Sequence, residues 1–590
     1  MSLLRTGPQL AIDTRARRLQ GFDGPEALGN LESRTTWFGP ADFTPDRPGS
    51  EVAVQAISGL MEVNGRDQAM PRRLGLEVAS VAAGLLAAQG DMAVAIAARR
   101  GRPVGSAHTS VLQAGLLLLS HYFVVATGLG DAVPGPALPA PGPPFRSADG
   151  SWFEIETLDA EPWKEFWNRL GMGDADLGRA WTVFRWRYER ATCSLVPGLH
   201  EATARLPLAE LRLIAAASDV SLTPLRGYSD VLSEPGLGAA HPSMRSVDDG
   251  GGGAVGRDRP PVAPVGPGLP LAGVRVVEAT SRIQGPFAGM LLRMLGAEVT
   301  RVQPPEGDYG RAALCLHRGK ESVRLDLSSG AGRAELVDLV ADADVFLHNW
   351  RPDKAAEWGL DFADLAPRHP RLVYATTSGW GDMPEARHLV GTDFLVQAYA
   401  GAGNALHPQN EPAFPSRLIL GDLFGGLVGA EAALTGLYRR ERSGGAWEAR
   451  SSLLVGAMAL QAHVLENIVG RKEIGRHQGR PVWGVLDRPV VTRDGMLVLS
   501  VDDDESFRRA CELCGLDPAG GTRAATEARL AARLGEGTAA GWETLLLDAG
   551  VAAAVVCQDL AAVPADPHLS KLFEPVGIGG LAPRSPWSFG

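Results

Sequence analysis

The chain repeats itself. Val54-Gln55-Ala56-Ile57-Ser58-Gly59 returns as Val396-Gln397-Ala398-Tyr399-Ala400-Gly401, and Pro71-Arg72-Arg73-Leu74 returns as Pro415-Ser416-Arg417-Leu418. Arg146-Ser147-Ala148-Asp149-Gly150 returns as Thr492-Arg493-Asp494-Gly495. The three matches keep one order and an offset of about 345 residues, which reads as two copies of one unit. The copies are unequal. Residues 271–390 of the second alternate like strands and helices, and the first has nearly lost that part. The fold must therefore accommodate a complete unit and a truncated one.

Bulk properties narrow the function. A chain of 590 residues exceeds one core. Its formal net charge of -11 argues against a nucleic-acid binder, which needs a concentrated basic face; a few local cations would still suffice for a small polyanion. Residues 1–18 hold no apolar stretch of signal-peptide length. The apolar segment 111–129 is interrupted by Gln113, Ser120 and His121, and its relative at 453–469 by Gln461, His463 and Glu466. Both read as buried core helices rather than membrane spans. Five cysteines make no disulfide framework, and Cys511 and Cys514 sit in a helical run without a second pair, so packing is the reading and no metal site is expected. A cytoplasmic protein is the expectation.

Two linkers punctuate the chain. Residues 134–144 hold six prolines, and 248–270 join the run Gly250–Gly253 to five prolines. The expected domains are 1–133, a helical remnant of the first copy; 145–245, its small α+β domain; a 246–270 linker; 271–480, a large domain; and 481–590, the second small α+β domain. In the large domain, strands are expected at 274–279, 298–302, 322–327, 345–350 and 372–376, with helices at 286–295 and 332–341. That alternation makes a doubly wound parallel sheet, with ligands beyond its carboxyl ends at Thr280–Gly285, Gln303–Arg311 and His348–Arg351. The pattern then turns helical, with a long Ala/Gly-rich helix at 423–439. In the small domains strands are expected at 496–501, 551–557, 152–155 and 220–225, and helices at 505–513, 541–548, 162–170 and 208–217.

These stretches carry a resemblance. Leu271-Ala272-Gly273-Val274-Arg275-Val276-Val277-Glu278, Gly285-Pro286-Phe287-Ala288, Leu295-Gly296-Ala297-Glu298-Val299, Arg318-Gly319-Lys320, Ala341-Asp342-Ala343-Asp344-Val345, Asn349-Trp350-Arg351-Pro352, Pro370-Arg371-Leu372-Val373-Tyr374 and Ser378-Gly379-Trp380-Gly381 together resemble the class III CoA-transferases. The likeness covers 271–590 and, more weakly, 46–245. It implies a Rossmann-like large domain and a small α+β domain, joined so that two subunits interlock. Here the two copies would form an interlocked pseudo-dimer within one chain, or the first copy would be an appendage on a homodimer.

The resemblance also assigns residues. Asp422, in Leu420-Gly421-Asp422-Leu423-Phe424-Gly425-Gly426, matches the family's catalytic aspartate. A carboxylate can attack an acyl-CoA thioester, and a helix N-terminus favours its ionised form by roughly 0.3–1 kcal/mol. The plain alternative is an N-cap aspartate. CoA would be contacted by Arg282, Ile283, Gln284, Arg311, Lys320, Asn349, Trp350 and Arg351, whereas Glu357 and Ser378 stand where some members carry basic residues. The implied substrates are acyl-CoA and a carboxylic acid, with no permanently bound cofactor and no membrane or nucleic-acid partner. Thr392 follows Gly391 where the related racemases place a His base, and His388 is four residues away, so transfer is preferred to racemisation. An α-methylacyl-CoA racemase or CoA isomerase and a non-catalytic acyl-CoA binder are the alternatives. In the first copy Glu77 aligns with Asp422 only across a one-residue gap, otherwise Val78 falls there, and that copy is read as structural.

Overall fold

The protein is described by a computed structural model over residues 7–20, 33–39, 47–102, 104–129, 142–234, 243–246, 268–305, 307, 312–383, 386, 389–470, 480–577 and 579–590. Most of both expected linkers, Arg311 and His388 lie outside the described residues.

A seven-stranded sheet organises the second copy. Its order is Ser243–Ser246, Trp447–Ser452, Val373–Ser378, Val345–His348, Arg275–Ala279, Glu298–Gln303, Glu321–Arg324. Six strands run parallel, and Ser243–Ser246 pairs antiparallel at the edge, with Met244 opposite Ala449. The order reverses between Arg275–Ala279 and Val345–His348, which is where such sheets open a ligand crevice. The expected strands all form, within a few residues of their anticipated ends. Trp447–Ser452 is a further strand, within a stretch whose pattern reads as mostly helical. Apolar and polar residues alternate over Trp447-Glu448-Ala449-Arg450, the period of a strand.

The first copy keeps a remnant of this sheet. Arg34–Thr36 runs parallel to Ala107–Ser110, whose other edge takes Ser588–Phe589 antiparallel. That arrangement reproduces Val373–Ser378, Trp447–Ser452 and Ser243–Ser246. The edge strands are exchanged: the end of the first copy completes the second copy's sheet, and the end of the chain completes the first copy's. One apolar cluster runs through both, from Leu85 and Leu117 to Leu427 and Val455.

The long Leu420–Ser443 helix crosses this core and has its counterpart in Val78–Arg99. A Cβ on Gly426 would lie 2.8 Å from the Gln284 carbonyl oxygen, so glycine lets the Gln284–Met294 helix close on it. In the first copy a Cβ on Gly84 would meet the Ala11 carbonyl oxygen at 2.7 Å. The Gly7–Gln20 helix, not anticipated from sequence, thus packs where the missing α/β unit would have supplied one.

Among the described residues, three helices have the length and hydropathy of a membrane span. Val78–Arg99 and Leu420–Ser443 bury 94% of their most apolar windows inside the protein, and Leu453–Gly470 buries 44%. The 111–129 segment bends by 64° after Leu118 rather than forming one helix. The small units have their own cores, around Trp163, Phe166 and Trp167 in the first copy and around Leu497, Phe507, Cys511 and Leu546 in the second.

Candidate active site

Asp422 lies in the first turn of Leu420–Ser443, but it does not cap that helix. The capping carboxylate comes from Asp393, at the start of the Asp393–Tyr399 helix. Asp393 Oδ2 accepts the Asp422 backbone N–H at 2.8 Å, and the Gly421 N–H adds a second bond. Gln397 holds Asp393 from below: Nε2 donates to Oδ1 at 2.6 Å and to the Leu418 carbonyl at 3.0 Å, while Oε1 accepts the Ser416 N–H at 3.0 Å. The helix end is satisfied from outside, which leaves the Asp422 carboxylate for other work.

That carboxylate is 6% exposed. Burial pushes it up to about 6; Arg282 opposes the rise, Glu156 adds to it, and the Gln284 backbone N–H favours the ionised form. Burial and then the charge of Asp422 raise Asp393 well above the ordinary carboxylate range, so the two titrate as a pair. A carboxylate in such a place is desolvated yet mostly ionised at neutral pH.

The first copy supplies the opposite wall. Arg282 donates to the Tyr188 hydroxyl and lies 5.0 Å from the centre of its ring. Tyr188 donates to Glu156 Oε2, and Arg187 Nη2 bonds the same oxygen at 2.9 Å. The ring nitrogen of His121 bonds the Tyr188 backbone. Burial works against the Arg282 charge, but Tyr188, Glu156 and Asp422 outweigh it and raise its pKa. Arg282 holds this place with φ at +67°, a left-handed backbone that costs a non-glycine residue roughly 1 kcal/mol or more. Glu156 ends the Trp152–Glu156 strand, and Arg187 and Tyr188 close the Asp174–Arg190 helix. Sequence reasoning missed that helix, although Trp181, Phe184 and Tyr188 fall at helical spacing.

The expected CoA contacts divide into groups. Arg282, Ile283 and Gln284 gather at Asp422; Ile283 and Gln284 are buried, and Gln284 Nε2 donates to Thr377 Oγ1 at 2.6 Å and to the Ser378 carbonyl at 3.3 Å. Asn349 ties the same loop to the neighbouring strand end: Oδ1 accepts the Ser281 N–H at 3.0 Å and Nδ2 donates to the Ser281 carbonyl at 2.8 Å. Trp350 stacks on His348 with centres 4.6 Å apart and meets Trp358 edge-on. The Arg351 side chain is 77% exposed, with Asp353 4.0 Å away.

Lys320 sits elsewhere. Its side chain is fully buried, with Nζ 2.7 Å from Glu278 Oε2 and 2.8 Å from the Pro286 carbonyl. Its charge is committed inside the protein, where it fixes the start of the Gln284–Met294 helix. A Cβ on Gly289 would fall 1.7 Å from Glu278 Oε2, so this pair also dictates a glycine. Glu357 faces Lys354, and Ser378 Oγ accepts the Gly381 N–H. Thr392 is buried just before Asp393, and its hydroxyl has no hydrogen-bond partner among the described residues.

The first copy repeats the scaffold and replaces the key side chain. Glu51 Oε1 accepts the Ala79 N–H at 3.0 Å and Oε2 the Ser80 N–H at 2.9 Å; Gln55 bonds Glu51, Leu74 and Leu76 as Gln397 bonds Asp393, Ser416 and Leu418. This register places Ser80 at the position of Asp422, and Ser80 Oγ donates to Glu51 at 2.6 Å. The gapped alignment is therefore corrected. Glu77 matches Ile419, the residue before the helix, with nearly identical dihedral angles, and Val78 matches Leu420. Glu77 bonds the ring of His463 from the second copy at 2.8 Å. The recurrent carboxylate four residues before Gln55 and Gln397 was the signal that could have revealed Asp393.

Known proteins resemble the chain in sequence. The sequence model of CoA-transferase family III matches residues 34–263 and 271–572. The chain is 31% identical over 268 residues to the succinate--glutarate CoA-transferase of Agrobacterium fabrum, covering 42% of this chain and 67% of that protein. It is 30% identical over 267 residues to the succinyl-CoA:glutarate CoA-transferase of Mus musculus, covering 42% of this chain and 60% of that one. A solved structure of a CAIB/BAIF family protein from Brucella suis is 25% identical, with a TM-score of 0.47, over 53% of this chain and 91% of that chain.

Proposed function

The chain belongs to CoA-transferase family III, and we propose that it moves CoA from an acyl-CoA to a carboxylic acid through covalent intermediates on Asp422. The observation that supports this best is the externally capped Asp422, with Arg282 and the Gln284 N–H at its carboxylate. Asp422 attacks the thioester carbonyl, the C–S bond breaks, and a mixed anhydride forms as CoA thiolate leaves. The thiolate attacks the aspartyl carbonyl, releasing the donor acid and leaving an aspartyl-CoA thioester. The acceptor carboxylate then attacks that thioester, giving a new anhydride and thiolate. Attack of the thiolate on the new acyl carbonyl yields product and restores Asp422. No net proton is gained or lost. Buried surroundings keep water from the anhydride.

The Gln284 N–H is directed at charge on the reacting carboxyl, and Arg282 offsets the negative charge that passes through the site. Asn349, Trp350 and Arg351 follow on at the strand ends and are assigned to CoA, with Arg351 as its exposed phosphate contact. Lys320 acts from behind, by holding the Gln284–Met294 helix. Thr392 has no basic group to remove an α-proton, so transfer is favoured over racemisation. The two copies act as an interlocked pseudo-dimer with one competent site, in the cytoplasm, and the exchanged edge strands support this reading. Dicarboxylic acids such as glutarate and succinate are the first acceptors to try, because they stand in the names of the similar transferases.

The test is mass spectrometry of the whole chain after incubation with succinyl-CoA. A hydroxylamine-sensitive adduct on Asp422, one per chain, is expected. Transfer at an undiminished rate by Asp422→Ala would overturn the mechanism.

A further inference from the structure

The duplicated Pro-Arg turn meets its own counterpart, with Arg417 paired to Asp67 and Arg72 to Glu411. Residues 64–73 of the first copy and 407–417 of the second enclose a cleft of about 520 Å³, closed on one side by 483–491. That volume is in the range of small-molecule sites. It is lined by Arg417 and Ser416, whereas Asp422, Arg282 and Gln284 are not among its walls.

Its charges are unbalanced. Arg72 and Arg488 share Glu411, Arg73 Nη1 is 3.0 Å from Asp487, and Arg417 Nε is 2.7 Å from Asp67. Four guanidiniums thus face three carboxylates. A fourth acid, Glu154, stands 3.8 Å from Arg417 Nη1, but burial pushes it up to about 7 and neither of its oxygens has a hydrogen-bond partner among the described residues. Arg417 is nine-tenths buried, and its Nη1 likewise lacks a hydrogen-bond acceptor among them. Burial and Arg72 hold His407 down at about 4, so it adds no charge.

The remaining wall is apolar and exposed. The Trp483 ring lies between two guanidiniums, Arg73 at 5.7 Å and Arg488 at 5.6 Å. Met70 is 47% exposed and Val491 61%. Large apolar side chains left open beside surplus arginines fit a ligand with one end of each kind.

We propose that this cleft is a second binding site, for an organic carboxylate with an apolar body. The carboxylate meets the arginines, and the body lies against Trp483, Met70 and Val491. The site is built from both copies, and its walls do not include Asp422, Arg282 or Gln284.

The test is calorimetric titration of the full chain, saturated with CoA, with 3-phenylpropionate, octanoate and inorganic phosphate. One site is expected for the two carboxylates, with phosphate at least about tenfold weaker. Arg73→Gln with Arg488→Gln, and separately Met70→Trp at the exposed rim, are each expected to weaken carboxylate binding about tenfold or more. The second variant removes no ion pair, so it keeps the test sound if the first does not fold. Binding unchanged in Met70→Trp, displacement of the carboxylates by CoA, or phosphate binding as tightly as octanoate would each overturn the proposal. Its failure leaves the transferase reading untouched, because the readout is binding away from Asp422.

Discussion

The heads of the two long helices are built on one plan and serve different ends. In both, a carboxylate from the preceding helix caps the backbone, and a glutamine four residues on locks that carboxylate to the incoming chain. Around Ser80 the cap is all there is: the hydroxyl is spent on Glu51, and Gly7–Gln20 replaces the loop that would face a substrate. Around Asp422 the capped turn presents a free carboxylate to Arg282 and Gln284. The conserved plan is therefore structural. On the proposed mechanism, what separates the two ends is a single side chain and the α/β unit that surrounds it.

The largest effect should separate the two ends outright. Asp422→Ala is expected to lower the transfer rate by about 10⁴-fold or more, whereas Ser80→Ala should change it less than about twofold. Steady-state CoA exchange between two acids measures both. The double variant Asp422→Ala, Ser80→Asp sharpens the contrast: it should recover nothing, because among the described residues no loop equivalent to Arg282–Gln284 faces Ser80. Recovered activity would mean that the first copy binds CoA after all.

Replacing the two caps comes next. Asp393→Ala removes the acceptor for Asp422 N–H, and about 10- to 100-fold in kcat is expected from the misplaced nucleophile, with about 1–2 kcal/mol of stability. Glu51→Ala should cost similar stability in a chemical melt and leave kcat nearly unchanged. Equal losses of activity would show that the second site depends on the first helix head as much as on its own.

How far the sequence revealed this depends on the range of the interactions. The parallel strands and the helix of Asp422 were legible because each carries its own periodicity and its own Gly or Pro punctuation. Asp422 itself was legible through the residues around it. Asp393, Glu156, Arg187 and Tyr188 were not, since each acts on a partner far along the chain: Tyr188 bridges Glu156 and Arg282 by hydrogen bonds. Lys320 misled for the same reason. In the sequence it is a cation beside a strand; in the fold Glu278 has already claimed it. Ser80 was hidden by a better-looking acid, Glu77, whose partner His463 belongs to the other copy.

Acidity distinguishes the two ends more finely. Burial lifts Asp422 to about 6, so activity should fall as pH drops through that value. Tyr188→Phe removes the hydroxyl that holds Arg282, and the acidic limb of the kcat profile should move up by about half a unit to one unit. A lower kcat with an unmoved limb would make Tyr188 a packing residue only. The sign for stability is the reverse of a salt-bridged carboxylate. A folded pKa above the unfolded one penalises the native state once pH exceeds the unfolded value, and the penalty is relieved as pH falls below about 6. Asp422→Asn should therefore raise the melting temperature more at pH 8 than at pH 4.5, whereas Ser80→Ala, which removes a hydrogen bond that favours ionised Glu51, should lower it more at pH 8 than at pH 4.5.

The smallest expected effect concerns the histidines that occupy matching places in the two copies. His121 bonds the Tyr188 backbone beside Asp422, and His463 bonds Glu77 beside Ser80. Burial works to raise Glu77, but the hydrogen bond and charge of His463 outweigh it and hold it below the usual range. The pair thus contributes stability above the unfolded carboxylate pKa, and loses it as pH falls through the folded one. Because the Glu77 side chain is 22% exposed and the His463 side chain 14%, solvent screens the pair and His463→Gln should cost only about 1 kcal/mol at pH 7, with kcat unchanged. His121→Gln, its mirror, should instead lower kcat by several-fold, because the group it orients stands one residue from Arg187 and in contact with Arg282. Equal kinetic effects of the two substitutions would erase the distinction between a working end and a supporting one.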